Sequence, residues 1–208
     1  MLRFFDLLFP PRTDEIVLRD ISEDAFLVRV APQLVPVTEP EAVALFPFSE
    51  PLVRSAIHEA KYHGSEHAFH LLSLALGEYL QDMDDAGRKT FIIPIPLGKA
   101  RAKERGFNQV EEIARRALQE LDARGASGFV LEIDLLKRTR ETASQVSLPR
   151  EKREENMRDA FSAIFPANPT HTYIVIDDVI TTGATLQAAI LALRAAGAKH
   201  IVPLALAH

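Results

Sequence analysis

The stretch VIDDVITTGAT, residues 175–185, sets two adjacent acids between an apolar run and a turn of small residues. The apolar run predicts a buried strand over residues 173–176, and the pattern after the turn predicts a helix over residues 183–196 that Gly197 closes. A strand that leads through a turn into a helix is typical of a parallel α/β sheet. Two negative charges next to a helix start, which attracts anions, therefore need an explanation.

The chain before and after this motif repeats the alternation of strand and helix. Strands are predicted at residues 91–95, 129–136 and 201–206, a helix at residues 107–124, and a helical stretch at residues 51–81 that breaks near His63 and Gly64. This pattern predicts an α/β fold, a parallel sheet flanked by helices. Ligands of such sheets bind at the carboxyl ends of the strands, which is where the motif lies.

The first 49 residues differ from the rest of the chain. Strand-like runs at residues 15–18 and 26–30 stand among prolines and acids, which predicts a small N-terminal β element before a main domain of residues 50–208. The apolar residues 1–9 are fewer than the roughly 20 that a membrane helix needs. We expect a short packing helix there, with a peripheral membrane anchor as the alternative, and we see no secretory cleavage site.

The composition excludes several classes of protein. The chain has 208 residues, 47% hydrophobic and 25% charged, which is typical of a soluble globular protein. The net charge of -5 argues against a general nucleic-acid binder. The absence of cysteine excludes disulfides, thiolate zinc sites and a cysteine nucleophile, and it favours a cytoplasmic location. The seven histidines show no spacing typical of metal ligands.

The two halves of the motif suit the two ends of one ligand. Residues 181–185 offer backbone N–H groups and threonine hydroxyls to a phosphate, and Gly183 lets the backbone approach a ligand closely. Asp177 and Asp178 accept hydrogen bonds from sugar hydroxyls. Either half alone is more often a helix cap or a solvated loop, and no Walker phosphate loop occurs in the chain. A sugar phosphate with a vicinal diol would use both halves.

The complete string closely resembles the phosphoribosyl-pyrophosphate (PRPP) loop of type I phosphoribosyltransferases. The resemblance implies the fold of that class. It also implies that Asp177 and Asp178 are the catalytic pair and hold the 2- and 3-hydroxyls of the ribose. The implied cradle for the 5-phosphate consists of Thr181, Thr182, Gly183, Ala184 and Thr185.

Three further segments resemble the ComF family, the competence-protein-F-like phosphoribosyltransferases. The segments are residues 48–64, residues 94–97 with the Arg-Gly-Phe-Asn-Gln string at 105–109, and a dispersed set at residues 138–161. The matches cover roughly residues 46–206. Members of the family commonly carry an N-terminal cysteine zinc ribbon, but here the lead Asp-Leu-Leu-Phe-Pro-Pro-Arg is followed by Thr13. No zinc is therefore expected, and residues 1–49 are interpreted as a hood-like segment in the position of the zinc ribbon.

The resemblance also implies roles for the polar residues outside the motif. The implied pyrophosphate loop includes Lys99, Arg101, Arg105, Asn108 and Gln109, with Lys103 as a further cation. The alternative for the cations is that they belong to a solvated, charged turn that binds no ligand. The alternative for Asn108 is that it only caps the following helix. Lys61 either reaches the site or is an ordinary exposed lysine at a helix end.

The polar segment 137–160 resembles the flexible lid that closes over the reaction in related enzymes. Closure would exclude water from the reactive sugar. The lid candidates are Gln145, Arg153 and Asn156. A surface helix with exposed charges is the alternative.

The expected activity is transfer of a 5-phosphoribosyl group from PRPP to an unidentified small-molecule acceptor, with release of pyrophosphate. Mg²⁺ is the expected cofactor and would be held mainly by the substrate, so no metal-binding residues are assigned. Two alternatives stay open: a module that senses PRPP or a nucleotide without turnover, and an accessory protein of DNA uptake. No membrane partner is expected, nucleic acid is possible but not favoured, and a homodimer is one option for the oligomeric state. Acceptor specificity is expected to come from residues 1–50.

Overall fold

The computed structural model describes residues 12–83, 88–126, 128–139 and 160–208. The described helices are α1 (Thr13–Leu18), α2 (Glu23–Leu27), α3 (Pro51–His63), α4 (Glu66–Asp82), α5 (Lys99–Arg105), α6 (Gln109–Ala123) and α7 (Ala184–Ala195). The described strands are β1 (Gln33–Val35), β2 (Ala42–Phe46), β3 (Thr90–Pro94), β4 (Phe129–Leu131), β5 (Leu136–Arg138), β6 (Phe161–Ala163), β7 (Thr172–Val179) and β8 (His200–Ala207). The helix expected at residues 1–9 lies outside the described residues.

A six-stranded sheet forms the centre of the molecule. Its strand order is β1-β2-β8-β7-β3-β4, and β5 pairs with β6 in a separate two-stranded sheet. All neighbours in the large sheet are parallel except β1 and β2. The prediction of an α/β fold with a parallel sheet flanked by helices is therefore confirmed.

Both faces of the sheet are buried, which explains the continuous apolar character of its central strands. Side chains alternate between the faces. Ile174 and Ile176 belong to the core under α3, α4 and α6, whereas Val175 belongs to the core under α7. Asp177 and Asp178 are among the last residues of β7, at the edge of the sheet. The buried part of the strand therefore fixes their positions.

The predictions of strands at residues 15–18 and 26–30 are wrong, because residues 15–18 belong to α1, residues 26 and 27 end α2, and residues 28–30 follow it without strand structure. Both helices carry acids in the first turn, which the helix dipole favours, and the Ser22 hydroxyl caps α2 by accepting from the Ala25 N–H at 3.2 Å. Each helix buries one large side chain, Leu18 or Phe26. The N-terminal β structure lies instead in β1 and β2, which extend the main sheet. The division of the chain at residue 49 stays a prediction.

An ion pair attaches the start of α1 to α3. The Arg12 guanidinium donates two hydrogen bonds to the Glu59 carboxylate, at 2.9 and 2.7 Å, and Glu59 is only 1% exposed. The Ser55 hydroxyl of α3 donates to Asp14 at 2.8 Å. Because a buried carboxylate needs a partner, these contacts fix α1 against α3.

Several element boundaries differ from the predicted ones. The strand predicted at residues 129–136 is two short strands, because the Glu132 carboxylate accepts from the N–H groups of Asp134 and Leu135 and turns the chain. The predicted helix break is confirmed at Gly64, which ends α3 in the left-handed conformation with φ 59°. Among the residues described, no helix has the length and apolarity that a membrane crossing requires.

Candidate active site

The acids and the threonine turn lie together at the carboxyl end of β7. Asp177 pairs in register with Ala205 of β8, and Pro94 at the end of β3 pairs with Ile176. The acids are the sixth and seventh residues of β7, rather than following a strand that ends at residue 176. They therefore lie between two central strands, at the edge where α/β sheets bind ligands.

Asp178 is 9% exposed and is held by three donors. Its Oδ2 accepts from the Lys61 ammonium at 2.7 Å and from the Gln109 amide at 2.8 Å, and its Oδ1 accepts from the Val179 N–H at 2.8 Å. Burial opposes ionisation of Asp178, but the Lys61 charge and these hydrogen bonds outweigh it and hold the pKa of Asp178 below its ordinary value. Asp178 is thus a charged and internally paired carboxylate.

Asp177 has the opposite electrostatic environment. Its Oδ1 accepts from the Asp178 N–H at 2.9 Å, and part of its surface reaches solvent. Burial, followed by repulsion from the Asp178 carboxylate, raises the pKa of Asp177 to about 7. Of the two acids, Asp177 is the one whose charge still lacks compensation.

The threonine turn connects β7 to α7. Thr181 and Thr182 are exposed, and α7 begins at Ala184 with no side chain capping its first N–H groups. The end of a 12-residue helix with free backbone donors and exposed hydroxyls fits an anion. The structure thus places residues 181–185 directly beside the acids, in an arrangement that suits a phosphate.

Gly183 has a second function that the sequence did not reveal. Its φ is 71°, and a Cβ placed on it would lie 2.6 Å from the Val37 carbonyl oxygen and 3.0 Å from the Thr38 Cγ2. The close approach is therefore made by the loop between β1 and β2, whereas a ligand was expected there. The Glu39 N–H also donates to the Gln187 side chain of α7 at 2.7 Å. The β1–β2 loop braces the turn from the N-terminal segment.

The Arg-Gly-Phe-Asn-Gln string supports the acids instead of forming an open loop. The Asn108 carboxamide oxygen caps α6 by accepting from the Val110 N–H at 3.1 Å, and its amide donates to the Ile95 carbonyl at 3.0 Å. Arg105 donates to Gln109 at 3.1 Å, and Gln109 donates to Asp178. Of the two readings of Asn108, its contacts are those of the helix cap. A chain of hydrogen bonds joins Arg105 to the acid pair.

The four predicted cations all lie on α5. Lys99, Arg101 and Lys103 are exposed, and Arg105 is partly buried with its guanidinium 5.2 Å from the centre of the Tyr62 ring. The helix follows β3 by way of the turn after Pro94, next to the acids in the sheet order. A cleft of about 470 Å³ opens beside α5, and its lining includes Pro96, Phe107, Asn108 and Glu111.

Lys61 is the residue that sequence reasoning undervalued. It lies in the last turn of α3, where an exposed lysine is common, yet its ammonium contacts Asp178. The helix ends at Gly64, three residues after Lys61. The signal in the sequence was the Lys-Tyr-x-Gly string, whose glycine marks the helix end that positions the lysine.

The lid candidates Gln145, Arg153 and Asn156 lie outside the described residues, so their role stays a prediction. The segment predicted as a lid, residues 137–160, starts within β5, and the Thr139 N–H donates to the Ala160 carbonyl at 2.9 Å. The described residues at the two ends of the segment are therefore adjacent, because β5 pairs with β6.

One histidine cluster has the dimensions of a metal site. Ligand atoms of His58, Glu59 and His63 all lie within 4.8 Å of one another. However, Arg12 already occupies the Glu59 carboxylate, and the His58 Nδ1 lies 2.9 Å from the Asp14 carboxylate. The contacts of this cluster are those of an ion-pair network, and we assign no metal to it.

Replacing Lys61 with methionine is expected to destabilise the protein by about 2 kcal/mol, because it leaves the buried Asp178 carboxylate without its cation. Urea unfolding near pH 7 measures this loss. Lys103→Met, at an exposed position on α5, is the matched control and should change stability by less than about 0.5 kcal/mol. Equal effects of the two variants would contradict the pairing of Lys61 with Asp178.

The raised pKa of Asp177 has a consequence for stability. Between the ordinary pKa of 3.8 and about 7 the folded protein binds more protons than the unfolded chain, so this carboxyl lowers the free energy of unfolding as the pH rises through that interval. Asp177→Asn is therefore expected to be more stable than the parent by about 2 kcal/mol near pH 8, with the gain shrinking towards pH 4.

Thermal unfolding of parent and variant over this pH range tests the effect. Asp20→Asn, at an exposed turn, is the control and should change stability by less than about 0.5 kcal/mol. A gain for Asp177→Asn that is the same at both ends of the range would contradict the raised pKa.

Comparison with known proteins gives relatives of similar sequence. Competence protein F of Haemophilus influenzae is 34% identical over 112 residues, which cover 53% of this chain and 46% of that protein. DNA utilization protein YhgH of Escherichia coli K12 is 32% identical over 139 residues, which cover 65% of this chain and 58% of that protein. YhgH of Salmonella typhimurium is 31% identical over 133 residues, with shares of 62% and 56%. The chain spans about half the length of these curated relatives.

Two other comparisons add little. No protein-family model matches the chain. A solved structure described as that of the allosteric regulatory enzyme of purine biosynthesis is 18% identical, covers 72% of this chain and 30% of its own, and has a TM-score of 0.41. A likeness this weak supports no conclusion.

One of these relatives, competence protein F, carries the name of the family that the sequence motifs resemble. The chain is similar in sequence to competence protein F and DNA utilization protein YhgH, which confirms the resemblance to the ComF family as a resemblance.

Proposed function

We propose that the protein binds PRPP and transfers its 5-phosphoribosyl group to a small-molecule acceptor. One observation carries the proposal: an acid pair and an uncapped helix start lie next to each other at the carboxyl end of β7. The two features have opposite charge preferences, so a ligand that satisfies both must have an anionic end and a hydroxyl-rich part. A 5-phosphoribosyl group has this shape.

The anionic end of the ligand is assigned to the turn at residues 181–185. The first backbone N–H groups of α7 and the hydroxyls of Thr181 and Thr182 donate to the phosphate oxygens. These donors are neutral, so they add no positive charge that would pair with the acids. The positive end of the dipole of α7 favours the phosphate further.

The ribose hydroxyls are assigned mainly to Asp177. Asp178 already accepts three hydrogen bonds from the protein, whereas Asp177 accepts one from the protein and reaches solvent. A charged carboxylate that accepts from a diol gains bonds stronger than neutral ones. The two acids thus have different roles. Asp178 holds Lys61 and Gln109 in place, and Asp177 faces the ligand.

The cations of α5 are assigned to the pyrophosphate. Lys99, Arg101 and Lys103 are exposed on the helix that follows β3, the neighbour of β7. Their charges offset those of PRPP and attract it to this edge of the sheet. Arg105 links this helix to the acid pair through Gln109, so the two parts of the ligand bind to connected parts of the protein.

Mg²⁺ fits the donor set at this site. Carboxylate oxygens are the ligands that Mg²⁺ prefers, and Asp177 offers one whose negative charge the protein does not neutralise. Bound with PRPP, the ion supplies charge neutralisation at the pyrophosphate. The protein residues orient the ribose, stabilise positive charge that develops on its ring through the carboxylate of Asp177, and hold the leaving group near α5.

Calorimetry with PRPP and Mg²⁺ tests the proposal. We expect binding by the parent protein and a loss of about tenfold or more in affinity for Asp177→Asn, since a charge-assisted bond contributes about 1.5–3 kcal/mol. Asp20→Asn is the control and should bind like the parent. No heat from the parent at millimolar PRPP would contradict the proposal. Pyrophosphate release with a panel of bases and amines then separates an enzyme from a module that only senses PRPP.

The names of the relatives favour a second candidate, a role in handling DNA. Direct binding of DNA by the α5 cations would weaken steeply with salt, because each phosphate contact releases counterions. A fluorescent single-stranded oligonucleotide, titrated at several salt concentrations, measures this slope. We expect no binding at physiological salt, given the net charge of -5. Tight binding that Lys99→Gln with Arg101→Gln weakens would favour the DNA role.

A further inference from the structure

Tyr62 is an aromatic residue whose ring lies among cations and polar groups instead of in the core. It stands next to Lys61 in the last turn of α3, and 55% of its surface is exposed. The Arg105 guanidinium lies 5.2 Å from the centre of the ring, and the Lys61 ammonium lies 5.9 Å from it. The face of an aromatic ring attracts a cation at such distances. The contacts of this ring are therefore with charged groups of the site.

The guanidinium of Arg105 uses one of its five N–H groups within the protein. Its Nη1 donates to the Gln109 Oε1 at 3.1 Å, and no other acceptor contacts the guanidinium within the part of the chain that the structure describes. A guanidinium that lies over a ring keeps the N–H groups at its edge available for hydrogen bonds. Arg105 thus combines a fixed position with donors for a further partner.

Gln109 joins Arg105 to the acid pair in one defined orientation. It is only 3% exposed, its Oε1 accepts from Arg105, and its Nε2 donates to the Asp178 carboxylate at 2.8 Å. The oxygen of an amide only accepts and its nitrogen only donates, so a cation at one end and an anion at the other permit a single orientation. The position of Arg105 relative to Asp178 is therefore defined by two successive hydrogen bonds.

The end of α3 contacts both ends of this chain of hydrogen bonds. Lys61 donates to Asp178 at one end, and the ring of Tyr62 lies against Arg105 at the other. Two consecutive residues of one helix and the Arg105–Gln109–Asp178 chain thus form a closed set of contacts. Arg105 is restrained from two directions, by Gln109 through a hydrogen bond and by Tyr62 through its ring.

The turn that carries Arg105 is anchored independently of Tyr62. The Phe107 ring packs edge-on against the Phe69 ring of α4, with the centres 5.8 Å apart, and it would lie 3.9 Å from a Cβ placed on Gly64. Asn108 caps α6 and donates to the Ile95 carbonyl. Removal of the Tyr62 ring should therefore leave the backbone of the turn in place and release only the guanidinium of Arg105.

We propose that Tyr62 is a positioning residue whose ring holds the Arg105 guanidinium, so that the N–H groups not used by Gln109 bind an anion beside the acid pair. The inference rests on the proposed function, which assigns the pyrophosphate of PRPP to this side of the site. A guanidinium offers two parallel N–H groups to the oxygens of a phosphate. A side chain that is already restrained loses less conformational freedom on binding, so the anion binds more tightly.

Calorimetry with Mg²⁺ and two probes tests the role of the ring. Inorganic pyrophosphate probes the side of α5, and ribose 5-phosphate probes the motif. Tyr62→Leu is expected to weaken pyrophosphate binding about fivefold, which corresponds to about 1 kcal/mol, and to leave ribose 5-phosphate within about twofold of the parent. Tyr62→Phe keeps the ring and should bind both probes within about twofold of the parent. His63→Leu, at the next exposed position of α3, is the matched control and should also bind like the parent.

A double-mutant cycle with Arg105→Gln shows whether Tyr62 acts through Arg105. In the Arg105→Gln protein, Tyr62→Leu should change pyrophosphate affinity by less than about 1.5-fold, because the group that the ring positions is gone. A fivefold loss that persists in this background would overturn the positioning role, and so would equal losses in Tyr62→Leu and Tyr62→Phe.

The two probes also separate this role from the proposed function. A parent protein that binds ribose 5-phosphate but not pyrophosphate would overturn the role of Tyr62 alone. A parent protein that binds neither probe would overturn the proposed function and the role of Tyr62 with it.

Nuclear magnetic resonance of the arginine side chains gives a readout that does not depend on a ligand. A proton above an aromatic ring is shifted upfield by the ring current. We expect this shift for the side-chain N–H of Arg105 in the parent and in Tyr62→Phe, and its loss in Tyr62→Leu. The same resonance position in the parent and in Tyr62→Leu would overturn the contact between Tyr62 and Arg105.

Discussion

The carboxylate of Asp178 is the point at which three parts of the molecule meet. It belongs to β7, it accepts from Lys61 at the end of α3, and it accepts from Gln109 at the start of α6. A buried charge that lacked these partners would be strongly unfavourable. The ends of both helices are therefore positioned by the same oxygen atom, and the edge of the sheet acquires a defined shape before any ligand arrives. Asp177, its neighbour, is left to carry the less favourable charge.

This division between two adjacent acids explains the conflict in the sequence. Two carboxylates next to an anion site repel each other and the anion, but Lys61 neutralises one of them from within the protein. The other has a pKa of about 7, so near neutral pH a hydroxyl-rich or cationic ligand is favoured there. The neutral donors of the threonine turn complete the site without adding a competing cation. In this way one short loop accommodates a ligand of mixed character.

Local pattern was enough to predict the central strands, the helices α3, α4, α6 and α7, and the position of the motif, but not α5, whose residues were predicted to form a loop. The 3.6-residue periodicity was clear in α6, which buries one face, and a continuous apolar run marked β7, which is buried on both faces. They failed at residues 15–18 and 26–30, because an apolar run of four or five residues fits a strand or a short helix equally well, and the helix-favouring acids and Ser22 decided the outcome. The pairing of Lys61 with Asp178 joins residues 117 positions apart. No local pattern records such a contact.

The contact between Val37 and Gly183 makes the sequence at one position depend on the sequence at the other. The β1–β2 loop occupies the volume that any side chain at position 183 would need, and the backbone there has a positive φ. A larger residue at position 183 is tolerated only if the β1–β2 loop moves away. A longer β1–β2 loop is tolerated only if the threonine turn moves. Among homologues, the length of this loop and the identity of the residue at the helix start should therefore change together, so the N-terminal hairpin limits which variants of the phosphate turn evolution can sample.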